Sequence, residues 1–455
     1  MSNDAHEVLV VAFVGVLVVT AGLTAATLTD PASRSPPTDG RPVAEPDLRP
    51  VADAEPWSRL GDEATPPGGS AVTRIHDAGE TGDGVRVGVI DASGYDPSDP
   101  VVADRVLAVR GFGDSDPLAG PDHHGTATTT TVAEVAPGAR FLLTRIDSQR
   151  GFVRAVEWLI ERDVDVIVAP VSFYGAAGDG RSRAASAAAA AVDAGVTVVA
   201  PVGNVAKRHW TTVDRSTDAT VVVDGARETP LLGDRERAVV WVEWERGTGP
   251  YTATLYRLND DGRTPVARSV PYRRDGTPNA RLSTSLRGGR YAVVVSGPRD
   301  DTGGRVSLTS PTHRFGVVSA DGSVLSPAAG AGVVGVGAVG ELGEPAAYSG
   351  RGPTTDGRLG VDVAATGTVV GSGDAERFEG TSVAAARVAG VAALIHGADP
   401  TVTPRTVEQR LERTAMDRGR DGVDLATGHG VVDPWPAVFG ADERSPAAGP
   451  TRTPT

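Results

Sequence analysis

The chain has 455 residues, enough for more than one domain, and 40% of them are hydrophobic, enough to fill a core. Acidic residues outnumber basic ones 58 to 44, for a net charge of −14, and Lys207 is the one lysine; a surface this acidic argues against nucleic-acid binding and fits a halophilic protein, kept soluble where salt screens self-repulsion. No cysteine is present, which excludes disulfides, thiolate catalysis and Cys-ligated zinc.

Within an N-terminal hydrophobic segment, residues 1–29, Val8 to Leu28 is an uncharged apolar run of 21 residues. As a helix it would be roughly 30 Å long, about the thickness of a bilayer core. It reads as a transmembrane helix or a signal peptide, with small residues at Ala25 and Ala26 that would permit cleavage. The expectation is membrane contact through residues 8–28 with the body outside the cell, or secretion after cleavage. Residues 30–70 are rich in Pro, Gly, Asp and Ala and read as a linker, and residues 438–455 as a disordered tail.

Between them strands and helices alternate. Val85–Ile90 and Phe141–Thr144 are short apolar runs, and Phe152, Val153, Val156, Leu159 and Ile160 recur at the spacing of one helix face. A strand follows over Val164–Val171, then an Ala-rich helix from Arg183 to Ala194 closed by Gly195, then a strand at Val196–Val199. Strand, helix, strand in succession implies right-handed crossovers and a mostly parallel sheet. The pattern then changes. Val239–Trp244, Tyr251–Tyr256, Tyr291–Ser296 and Val306–Thr309 are β segments separated by turn residues, with no helical pattern between them. They predict a β-sandwich-like domain over residues 211–311, inserted between two parts of an α/β domain at 71–210 and 312–437. The α/β pattern resumes at Val333–Val339 and ends on an apolar helix at Val383–His396.

Four segments carry candidate chemistry. Val87-Gly88-Val89-Ile90-Asp91 places a carboxylate at a strand end, where α/β proteins build sites, although a cap or loop Asp reads the same way. Asp122-His123-His124-Gly125-Thr126 places an imidazole at a helix start. Two adjacent His side chains diverge and no His-x-x-x-His spacing accompanies them, so no metal site is expected. Gly203-Asn204 ends a strand; Asn204 either makes a turn or offers its amide to a developing negative charge. Gly380-Thr381-Ser382 opens a helix of small residues, where a Ser is either an N-cap or a hydroxyl exposed at the mouth of a buried helix.

Taken together these segments resemble the subtilisin-like serine proteases, the subtilases. Val89-Ile90-Asp91, His124-Gly125-Thr126, Gly203-Asn204 and Gly380-Thr381-Ser382-Val383-Ala384-Ala385 are similar to that family's motifs and follow its order, as do Tyr348–Pro353 and Val361–Ala365. Ala386 and Arg387 depart from the Pro and His usual after the nucleophile motif, and Thr128–Thr131 from the usual small apolar residues. The resemblance implies a three-layer α/β fold and a serine endopeptidase acting on protein or peptide substrates, with a catalytically inactive binding protein on the same scaffold as the alternative. It implies a triad of Asp91, His124 and Ser382, Asn204 as oxyanion donor, and Ser172-Phe173-Tyr174-Gly175 as the edge strand that binds substrate. Phe173 and Tyr174 read equally well as core residues. No cofactor is required by such chemistry; a structural calcium is common in the family, without ligands that can be assigned here.

Overall fold

The computed structural model describes residues 10–11 and 71–440, apart from 115, 119–123, 177, 217–218, 273–277, 300–302 and 371–376. Most of the apolar run 8–28, the linker at 30–70 and the expected tail beyond 440 therefore lie outside the described residues; the first residues assigned to that tail, 438–439, instead end the helix Pro434–Phe439, with Val438 buried. Val10–Val11 are described, and they form a strand, not the expected helix.

A seven-stranded, wholly parallel sheet forms the centre. Its order is Val363–Thr366, Val334–Val339, Thr197–Pro201, Val166–Val168, Arg86–Asp91, Arg140–Ile146 and Val106–Phe112. Helices cover both faces, so most of these strands are apolar without alternation. Helix α1 (Ala71–Asp77), α2 (His124–Val135), α5 (Thr381–Ala398), α6 (Pro404–Thr414) and α7 (Pro434–Phe439) contribute to the core on one face; α3 (Gln149–Ile160) and α4 (Arg183–Asp193) lie on the other. This is the expected three-layer fold.

Helix α5 is apolar and long enough to cross a bilayer, yet it is mostly buried in the protein core. Its small residues let neighbours approach: a Cβ at Gly390 would stand 2.5 Å from Val135 Cβ of α2. Gly390 lies roughly two and a half turns into α5 and Val132, also beside it, roughly two turns into α2. Both helices begin at the carboxyl end of the sheet: His124 bonds Asp91 there, and Ser382 lies against Pro170, just past the end of the neighbouring strand Val166–Val168. The Thr run within α2 satisfies itself: Thr129, Thr130 and Thr131 donate their hydroxyls to carbonyls one turn back.

The insertion is a pair of antiparallel five-stranded sheets. One orders Val270–Pro271, Asn279–Ser285, Arg237–Trp244, Arg305–Thr309 and His209–Val213; the other orders Gly262–Arg268, Thr252–Asn259, Arg290–Ser296, Thr229–Leu232 and Arg314–Phe315. Val240, Val242, Leu255, Leu282, Val293 and Leu308 meet between them in one core.

His209 sits where the insertion leaves the α/β body and donates Nδ1–H to Ser319 O at 2.8 Å. Burial pushes its pKa from 6.5 down to about 4. Below pH 6.5 the unfolded chain takes up a proton that the fold excludes, so stability is full above 6.5 and falls as pH drops through 4. Between pH 7 and 4.5 the wild type is expected to lose about 2 kcal/mol more than His209→Gln, measured by denaturant unfolding at both pH values.

Candidate active site

Asp91 ends the strand Arg86–Asp91, at the carboxyl edge of the sheet, and is wholly buried. A buried carboxylate needs its oxygens filled. Oδ2 accepts Nδ1–H of His124 at 2.6 Å. Oδ1 accepts both the backbone N–H and the hydroxyl of Ser93, each at 2.7 Å. Burial works to raise the Asp91 pKa; the charge and hydrogen bond of His124, then the two bonds from Ser93, outweigh it and hold the carboxyl below its ordinary value. Ser93 Oγ also accepts the N–H of Gly125 at 3.0 Å, which ties the start of α2 to the same carboxylate.

His124 is the first residue of α2 and is 4% exposed. Gly125 behind it permits a close approach: a Cβ there would stand 2.4 Å from Gly94 O and 2.9 Å from the Tyr95 ring. Tyr95 lies buried beside this network, its hydroxyl 3.0 Å from the carbonyls of Val89 and Thr144. Burial, then the nearby Asp91 charge, raises its pKa well above the ordinary value, so it stays neutral.

Ser382 is the second residue of α5 and is 5% exposed; its hydroxyl lies 3.4 Å from Pro170 O. The first N–H groups of a helix have no partner within it, so this end of α5 offers donors and the positive pole of the helix. Asn204 lies against the same end. Its Oδ1 accepts the N–H and the hydroxyl of Thr381, each at 2.9 Å. Those donors fix the amide, and Nδ2 is left 3.0 Å from where a Cβ on Gly380 would stand, beside Ser382.

The structure thus joins His124 to Asp91 directly, and places Asn204 and Ser382 together at the start of the neighbouring α5. Ser93 and Thr381 are partners that motif reading does not single out, although each lies one or two residues from a residue that it does. Ser172, Phe173, Tyr174 and Gly175 are all buried. The Phe173 side chain belongs to the core under α3, edge-on to Phe152, and Tyr174 packs with Val205, Trp241 and Leu325. The backbone of this segment pairs at its edge with Val10–Val11.

Among the described residues one group of carboxylates, Asp362, Glu408 and Glu412, is close enough to share a cation. It precedes the strand Val363–Thr366 and so lies at the opposite end of the parallel sheet from Asp91. Burial, with Glu408 and Glu412 beside it, raises the Asp362 pKa to about 7 despite a hydrogen bond from Gly335 N–H at 2.7 Å.

A parallel α/β sheet with a buried carboxylate–imidazole pair at its carboxyl edge, and a serine at a helix mouth beside an oriented amide, has the architecture of a serine hydrolase. The chain belongs to the subtilase family, whose model matches residues 82–430. Over 132 residues it is 40% identical to Mycosin-4 and 35% identical to Mycosin-1 of Mycobacterium tuberculosis. Each match covers 26% of this chain, and 27% and 28% of the relative. The CspB protease of Clostridium perfringens shares the fold at a TM-score of 0.59 and 15% identity, over 80% of this chain and 94% of that one.

Removing the Asn204 amide is expected to lower kcat about 100- to 1000-fold in Asn204→Ala with a smaller effect on KM. Thr381→Val, which removes one of the two donors that hold the amide and leaves the backbone N–H, should show the same pattern at lesser magnitude. Steady-state kinetics on a peptide substrate measures both.

Proposed function

We propose that the chain is a serine endopeptidase that cleaves peptide bonds through an acyl-enzyme. Ser382 Oγ attacks the scissile carbonyl carbon, and His124 Nε2 takes its proton. Asp91 holds the imidazole in the tautomer whose lone pair is on Nε2, and stabilises the imidazolium that forms. The oxyanion is held by Asn204 Nδ2 and the backbone N–H of Ser382. His124 then gives its proton to the leaving amine, the amine departs, and water repeats the sequence on the acyl group.

The observation that carries this reading is the 2.6 Å bond between His124 Nδ1 and Asp91 Oδ2, in a site where Ser93 saturates the other carboxylate oxygen. A histidine placed for packing alone does not require a buried charge with its own retinue of donors. Membrane placement through the apolar run at residues 8–28, and an outside location, are further proposals that rest on its composition, although Val10–Val11 of that run form a strand in this structure.

The test is a fluorophosphonate probe on the full chain. The wild type is expected to be labelled on Ser382, and Ser382→Ala to lose both label and peptide hydrolysis, by about a million-fold in kcat. Labelling that is absent, or that persists in Ser382→Ala, would overturn the peptidase reading.

A further inference from the structure

The strand Arg237–Trp244 of the insertion is buried on both faces. Alternate side chains of a strand point to opposite sides. Ala238, Val240 and Val242 point into the core of the insertion, whereas Val239 and Trp241 belong to a separate cluster with Tyr174, Val205 and Leu325 of the α/β body. Glu243 continues that second face. The insertion therefore rests on the segment 172–175.

Its grip there is polar and specific. Gly175 turns the chain with φ +77°, and both of its backbone groups are taken by the insertion: its N–H donates to Glu243 Oε1 at 3.0 Å, and its carbonyl accepts Asn279 Nδ2 at 2.5 Å. Glu243 and Asn279 are direct partners on adjacent strands, so the two side chains form one clamp. A Cβ at Gly175 would stand 2.5 Å from the Trp241 ring, which leaves no space for the turn to shift.

The clamped segment borders the nucleophile. Pro170 O lies 3.4 Å from Ser382 Oγ, and Ser172–Phe173 follows at once. Phe173 N–H is held from below by Ser326 O at 2.8 Å. The other edge accepts an extended strand: Val10–Val11 occupy it antiparallel, Val10 opposite Phe173 and Val11 opposite Ser172.

We propose that the insertion is a working wall of the substrate groove, with Glu243 and Asn279 as positioning residues that set the path of 172–175 and so the hold on an extended peptide added to its edge. The proposal rests on the peptidase reading and deepens it: the favoured substrate is an extended, unfolded stretch of polypeptide that spans several residues before the cleaved bond. A short acyl ester, which reaches only Ser382, depends on this wall less.

The test compares a hexapeptide amide with p-nitrophenyl acetate on full-length wild type, Glu243→Ala, Asn279→Ala and the conservative Glu243→Gln. The alanine variants are expected to lose roughly ten-fold or more in kcat/KM for the peptide relative to the ester, chiefly through KM, because each loses a buried hydrogen bond that fixes Gly175. Glu243→Gln, which keeps an acceptor for Gly175 N–H, is expected to recover most of that ratio. An unchanged peptide-to-ester ratio in all three variants, whether or not total activity falls, would overturn the proposal. A wild type inert towards both substrates would instead contradict the peptidase reading on which it rests.

Discussion

A buried carboxylate bonded to a buried imidazole is the constraint on which this molecule turns. Asp91 is out of contact with water, and without partners its charge would be costly by several kcal/mol. Three hydrogen bonds, one from His124 and two from Ser93, repay that cost and keep the group ionised. They also fix geometry. Asp91 stands at the carboxyl end of an interior strand, His124 on the first residue of a helix, and Ser93 links the two by binding Gly125 N–H. Removing any one member leaves a buried charge or an unsatisfied donor, so the site and the local fold are one cooperative unit.

The parallel sheet supplies the rest of the geometry. Its strands deliver Asp91 and Asn204 to one edge, and two helices bring His124 and Ser382 to that edge from the side. The close contact of Gly390 with Val135 lets the two helices pack against each other. The β insertion enters just after Asn204 and returns to the same neighbourhood. A strand that packs on both faces joins it to the body through Tyr174 and Gly175, so its influence falls on the segment beside the nucleophile.

Much of this was legible in the sequence, for physical reasons. Strands such as Val334–Val339 are covered on both faces and read as unbroken apolar runs, and α3 shows its buried face in Phe152, Val156 and Leu159. The four polar residues of the site fall at strand ends and helix starts, where their local sequence marks them. Other features depend on approach in space. Val106–Phe112 is an edge strand with Leu107 half exposed and Arg110 stacked over Phe112 and Trp158, so it lacks a clear apolar pattern. Ser93 and Thr381 gain their roles only when a distant side chain arrives. The two-sided burial of Arg237–Trp244 is written as an apolar run, but nothing in that run names Tyr174 and Gly175 as its partners. At Phe173 the local sequence left groove and core equally open; the side chain is core and the backbone is edge.

The central claim is that Asp91 holds His124 in place to serve Ser382. The most direct measurement is a crystal structure of the chain with a peptide boronate. The account predicts boron bonded to Ser382 Oγ, one boronate oxygen on Asn204 Nδ2, His124 Nε2 facing the adduct with Nδ1 still on Asp91, and the peptide backbone paired along 172–174. A boronate bound elsewhere, or a His124 ring that leaves Asp91 and turns away from the adduct, would contradict it.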